Sequence, residues 1–270
     1  MVTAIVHHPW KTKFRGKLNV LVQSSETTPT VLIESLVKDI ERNLWEGLQL
    51  SPNHPYLLMA EAQLADLFDD SSRALDALEK AFKGNPRSTF VALRLSSYYK
   101  KHGDLKHSRE ILEQALEANP GEAKLHFAFS KLLILDHGAT SDVLLYHLKR
   151  SFTEGDSSYD AQLLYGRQLF INGDLENWKK IFRRLGDARV SHEVRTQLSY
   201  PLEQTFNGSV VSIEATSCFI ARDGLNEWIH AHRSNIGDHV WKALTVESRV
   251  TFRIAFTMKG PSGFDVYLAS

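Results

Sequence analysis

His230 and His232 stand two residues apart in a β-leaning run, a spacing that puts both imidazoles on one face of a strand. A metal site would need further ligands. The single cysteine, Cys218, falls in a different strand, so surface or stacking roles suit the two histidines better. His7 and His8 have still less around them. Cys218 has no cysteine to pair with, which fits a reducing, cytoplasmic setting, and its expected role is that of a small buried hydrophobe. Asp69 and Asp70 are adjacent carboxylates, but they lie in an inter-helix turn where helix capping accounts for them. The sequence contains no phosphate loop, nucleophile elbow, zinc-protease helix or carboxylate pair in a defined setting. The expectation is a protein that is not an enzyme, with no catalytic residue, metal or cofactor.

What remains is holding, and the elements suited to holding are written in the spacing. Pro52, Pro86 and Pro120 are 34 residues apart. The same interval carries Leu44, Leu78 and Leu112, the small residues Gly47, Ala81 and Ala115, and the larger Leu48, Phe82 and Leu116. A unit of this length is a pair of antiparallel helices, and small residues are needed where two helices cross closely. A helix over 31–50 supplies the second half of a unit. Whole units follow from 55, 89, 123 and 158, the third one residue out of register, and a closing helix after 191 ends before Pro201. Gly103–Asp104 and Gly173–Asp174 read as turn and cap. In the fourth unit Trp178 stands where a small residue is usual, which predicts a different angle for that helix pair.

Past Pro201 the composition shifts to Val, Ile, Phe and Thr with turns at Asn207–Gly208, Asp223–Gly224 and Lys259–Gly260–Pro261. Five short strands are predicted, at 210–213, 218–222, 227–230, 249–256 and 264–268, the right number for a small closed barrel. The fold class expected is therefore α+β multidomain: a lead-in at 1–30, an α-helical repeat solenoid over 31–200, and a five-stranded β-barrel over 206–270. Within the lead-in, Lys11, Lys13, Arg15 and Lys17 form a basic cluster and 18–22 leans to strand.

Residues 31–190 resemble tetratricopeptide-repeat (TPR) proteins, because phase and chemistry hold over successive units. Residues 206–270 resemble the cold-shock domain, an OB-fold. The residues that carry this are Gly208, Ser209, Val210 and Val211, then Cys218, Phe219 and Ile220, then Trp228, Ile229 and His230, with Arg249 to Phe252 and Gly260–Pro261. Three positions depart from that pattern: Ser212, Ser217 and Ala231 stand where the family carries rings. The resemblance implies single-stranded nucleic acid, RNA or DNA, stacked on Phe219, Trp228 and His230 with Arg222 and Lys259 nearby. The order of repeats then barrel also resembles the C-terminal part of large multidomain bacterial proteins. That implies, as an alternative, a regulatory or sensor part of a larger effector such as one of antiviral defence.

The first helix of each unit would line a concave face. Counting from each start, that face holds Tyr56, Met59 and Gln63, then Phe90, Leu93 and Ser97, then Lys124, Phe127 and Lys131, with Leu163 and Arg167 in the fourth. Apolar anchors flanked by cations suit an acidic peptide, whereas the same spacing also suits packing between units. The two-point basic clamp of chaperone-binding relatives is not recognisable. Trp178 to Arg184 reads as an amphipathic basic helix, either a solvated face or an extension of a nucleic-acid track.

Composition bounds these readings. Of 270 residues, 43% are hydrophobic and 24% charged, enough to build cores. Lys+Arg and Asp+Glu are both 32, so nothing marks the whole chain as a polyanion binder, and six cations meet six acids within 206–270. No apolar run approaches the ~20 residues of a membrane span. The expected function is a non-catalytic adaptor, with a protein partner on the repeats, RNA or single-stranded DNA on the barrel, no membrane, and self-association through an open array end.

Overall fold

The computed structural model describes residues 30–136, 140–197, 200–225 and 227–269; the basic cluster at 11–17, the 18–22 run and His7–His8 lie outside them. The chain divides into two compact units between Leu132 and Leu133.

The first unit is built of helices α1 (Thr30–Leu50), α2 (Pro55–Leu67), α3 (Ser71–Gly84), α4 (Thr89–Lys101), α5 (Leu105–Ala118) and most of α6 (Ala123–Asp136). The periodic columns explain the packing. Ala74, Leu78 and Ala81 of α3 and Leu112 and Ala115 of α5 are fully enclosed. At Gly47 a Cβ would come within 3.0 Å of Leu57, so the small residue is what lets α1 and α2 approach. Ile40 and Leu44 pack there with Leu57, Ala60 and Leu64. In the second hairpin Ser96 and Ser108 meet at the crossing, Oγ to Oγ 2.9 Å, both buried.

Turns follow the capping chemistry. Gly103 has φ +80° and Asp104 accepts the N–H of His107 at 3.0 Å; Asp70 accepts that of Arg73 at 3.1 Å. Asp69 adopts φ +56° where the second hairpin has glycine.

The second unit holds α7 (Ser141–Arg150), α8 (Tyr159–Ile171), α9 (Leu175–Asp187), α10 (His192–Gln197) and the barrel: β1 (Tyr200–Ile213), β2 (Ser217–Arg222), β3 (Trp228–His232), α11 (Asp238–Ala243), β4 (Arg249–Thr257) and β5 (Gly260–Leu268). The strands close in the order β1-β2-β3-β5-β4, with β3 and β5 parallel and the other pairs antiparallel. Strict alternation explains β4: Val250, Phe252, Ile254 and Phe256 all point inward and are fully buried. Strand β1 starts ten residues earlier than the first predicted strand, because Pro201 and the polar 203–205 hide an edge that pairs with β4 across a register shift. Helix α11, which the sequence reading did not place, inserts Val240 into the barrel's core.

Trp178 is not merely a misfit in a helix crossing. It is buried, edge-on to Phe170 at 5.4 Å and to Phe182 at 5.7 Å. Phe256 of β4 lies 5.1 Å from Phe170 and 6.0 Å from Phe182. The fourth hairpin and the barrel therefore share one core, which also takes in Leu163, Leu185, Leu202 and Met258.

Candidate functional site

The barrel's outer surface carries a row fixed by strand register. Ser212 of β1 stands opposite Phe219 of β2, Phe219 opposite His230 of β3, and His230 opposite Ser262 of β5. Directly opposed residues share a face. Trp228, paired with Ala221, lies one step along β3. The ring centroid of Phe219 is 5.4 Å from His230 and 6.4 Å from Trp228. Trp228 is 61% exposed, an unusual position for so large an apolar side chain unless something covers it.

Of the three positions that depart from the cold-shock pattern, Ser217 and Ala231 are buried. Ala231 faces the barrel interior against Gly263, where a Cβ would come within 3.1 Å of it, so a ring could not be housed there. Ser212 is the departure that leaves a gap on the outer row.

Electrostatics around the row are mixed. Burial holds the His230 imidazole below its ordinary pKa, His232 and Lys259 push the same way, and Glu214 opposes them. Lys259 is exposed at the β4–β5 turn. The Arg222 guanidinium is 4.9 Å from the Phe206 ring and 5.5 Å from Phe170, with its Nε buried and without a partner. Burial lowers its pKa. Cys218, next to Phe219, is fully enclosed, and burial pushes its thiol up to about 11. Among the described residues no three His, Cys, Asp or Glu side chains gather as a metal site would require, and no helix is long and apolar enough to cross a membrane.

In the first unit the columns of the first helices are exposed in part. Tyr56 and Phe90, 34 residues apart, are 73% and 58% exposed. Arg94 of α4 reaches Asp66 of α2 at 2.9 Å, which sets the first helices of neighbouring hairpins side by side. Lys124 and Lys131 are exposed, and Lys131 sits 4.5 Å over the Phe127 ring. Leu93 is half-buried. Met59 is a correction: at 4% exposure it is packing inside the hairpins and offers no surface to a partner.

In the second unit Leu163 is likewise fully buried, in the core shared with the barrel. Arg167 is half-buried; burial lowers its pKa, and Tyr200 of β1 lies close enough to act on it. The Tyr200 hydroxyl donates to Asp160, which ties β1 to the first helix of the fourth hairpin. The basic stretch of α9 is answered by acids: Lys179 pairs with Glu227, Lys180 with Glu176 at 2.7 Å, and Arg184 with Glu154 at 3.3 Å. Arg183 of the same stretch is exposed.

No protein-family model matches the sequence, and no curated protein matches it either. Several solved structures are similar in backbone. Residues 41 to the end of MamA from Desulfovibrio magneticus RS-1 are 14% identical, with 66% of this chain and 93% of that one covered and a TM-score of 0.45. TTC0263, a thermophilic TPR protein of Thermus thermophilus, is 17% identical over 68% and 96%, with a TM-score of 0.44. YrrB, a TPR protein with an unusual peptide-binding site, is 17% identical over 69% and 95%, with a TM-score of 0.43. The helical hairpins and the closed strand order define the class: a TPR-like helical repeat protein that carries a five-stranded β-barrel.

Proposed function

We propose that this protein is a non-catalytic adaptor of a reducing compartment, whose repeats hold a protein partner and whose cold-shock-like barrel holds single-stranded nucleic acid. The observation that supports the nucleic-acid arm most is the outward set Phe219, Trp228 and His230 on two adjacent strands, with Trp228 largely bare. Rings at this spacing offer flat faces to successive bases, and such stacking is sequence-tolerant. The balanced charge of 206–270 makes stacking, not counterion release, the main source of affinity.

The partner arm is supported by Tyr56 and Phe90 on equivalent turns, with Lys124 at the next equivalent position and Lys131 close by. Exposed rings beside cations suit an extended segment that carries acidic and apolar side chains.

Fluorescence anisotropy with labelled oligonucleotides tests the first arm. Stacking contributes about 1–3 kcal/mol per base, so Phe219→Ala with Trp228→Ala should weaken binding by roughly 30-fold or more. Equal binding by wild type and the double variant refutes the stacking strip. Capture of the partner by wild type but not by a Tyr56→Ala, Phe90→Ala variant tests the second arm, and equal capture by both refutes it.

A further inference from the structure

The outer row does not stop at His230. Its next members are Ser262 of β5, then Ala255 of β4, then Pro201 of β1, each directly opposite the one before. These three line a cleft of about 560 Å³ at the β4–β5 turn, to which α10 also contributes. The cleft adds His192 and Arg195 from α10, Asn235 from the turn after β3, and Lys259 and Phe264 from the β4–β5 hairpin. Among the described residues not one carboxylate lines it, in a chain whose acids and bases are otherwise equal in number. Its volume suits a small organic moiety of nucleotide size.

We infer that this cleft is a nucleotide subsite, which receives the phosphate and base of the strand that continues past His230. The inference rests on the reading of the barrel as a single-strand binder and adds where the strand goes. The geometry is supplied by the register. Neighbouring strands lie ~4.8 Å apart, so Ser262 is about one nucleotide step beyond His230 along the row. A strand stacked on Trp228, Phe219 and His230 and extended in that direction enters the cleft.

The chemistry matches. Lys259 is an exposed cation at the mouth, near enough to His230 for its charge to be felt there. Arg195, which lines the cleft, donates to the carbonyls of Gly186 at 3.2 Å and Ala188 at 2.7 Å, so its position is fixed. Asn235 and Ser262 can donate and accept at a base edge. Phe264 gives a wall whose ring is covered by Arg253 at 4.9 Å.

The experiment compares a trinucleotide, long enough for the three rings, with an octanucleotide that also reaches the cleft, both in full-length protein at 50 and 200 mM salt. Two variants disturb the cleft: Lys259→Gln, whose charge is also felt at His230, and Asn235→Asp, which puts an acid into the acid-free wall at an exposed position and leaves the rings alone. The octanucleotide should bind wild type more tightly than the trinucleotide. Each variant should lose about 5- to 10-fold on the octanucleotide, and Asn235→Asp should lose less than 2-fold on the trinucleotide. With ~0.7 counterions released per phosphate on a single strand, Lys259→Gln should reduce the fourfold-salt effect by roughly 2.6-fold. Octanucleotide binding unchanged in both variants, while Trp228→Ala still weakens it, overturns the subsite and leaves the ring strip standing. Binding of neither oligonucleotide to wild type overturns both. An acidic peptide that binds wild type but not Asn235→Asp, where oligonucleotides fail, overturns the nucleotide subsite and assigns the cleft to a peptide.

Discussion

Phe256→Ala should loosen the last helical hairpin as well as the barrel. Phe256 belongs to β4 and is fully buried, yet two of its ring neighbours, Phe170 and Phe182, are on α8 and α9. Truncating a buried Phe costs about 3–5 kcal/mol, the spread depending on how far the cavity collapses. The two flanking helices are held by their own hairpin contacts, so collapse is limited and the upper half of that range is expected. Domains of this kind have only about 5–15 kcal/mol in hand, so the variant remains folded with a much larger open population. At ~1.4 kcal/mol per tenfold, amides of β4 and of α8–α9 should exchange roughly three to three and a half orders of magnitude faster. Hydrogen exchange resolved by segment reads both at once. Faster exchange in β4 with α8–α9 unchanged would mean that the barrel opens alone and would refute the shared core.

Further outcomes follow from single positions. At Gly208 a Cβ would lie 2.4 Å from the Ala221 carbonyl oxygen, backbone that has no room to yield, so Gly208→Ala should destabilise by about 1–3 kcal/mol or more in urea unfolding. Gly47→Ala meets only the flexible end of Leu57 at 3.0 Å and gains about 0.5–1 kcal/mol of helix propensity, so it should fall within about 1 kcal/mol of wild type; the reverse ranking would sink the argument. Cys218 is enclosed and its thiol pushed up to about 11, so a thiol reagent at pH 8 should react only as fast as the barrel unfolds, and stoichiometric labelling within minutes in native buffer would contradict the burial. His230 is held below its ordinary pKa by burial, His232 and Lys259 against Glu214, and is mainly neutral at pH 7. A bound phosphate favours the protonated ring, so oligonucleotide affinity should rise as pH falls from 7.5 to 5.5, and His230→Gln should flatten that slope; the same slope in both proteins counts against a role for His230.

The hairpins were legible because a close helix crossing admits few side chains, and Ala81, Ala115 and Gly47 repeat that restriction at one interval. The outward rings were legible because alternation along β2 and β3 puts Phe219 and His230 on the face opposite Cys218 and Ile229. Contacts between elements were not. Nothing in the spacing separates Met59, which is buried, from Tyr56, which is bare, since both fall on the same side of α2 in a helical count. The cleft at α10 was hidden for a similar reason: its residues come from five separate stretches, and only closure of the barrel brings Pro201, Ala255 and Ser262 into one row. Helix α11 is six residues long, too short for a periodic signal.

Trp178 shows what a broken pattern can mean. In a stacked array each hairpin hides the apolar face of the one before, and the last hairpin has no successor, so its outer face must change. A polar outer face is one solution. Here the fourth hairpin instead enlarges its apolar face with Phe170, Trp178 and Phe182, and the barrel covers it through Phe256 and Met258. Two links tie the same parts together from the rim: Tyr200 of β1 to Asp160 of α8, and Lys179 of α9 to Glu227 beside Trp228. The strand that carries Phe256 also carries Ala255 of the outer row, so side chains of one strand face both the shared core and the cleft. A ligand that orders β4 from outside therefore acts on the residues that hold α8 and α9 from inside. Occupancy of the barrel should slow exchange in those helices even though they touch no part of the bound strand.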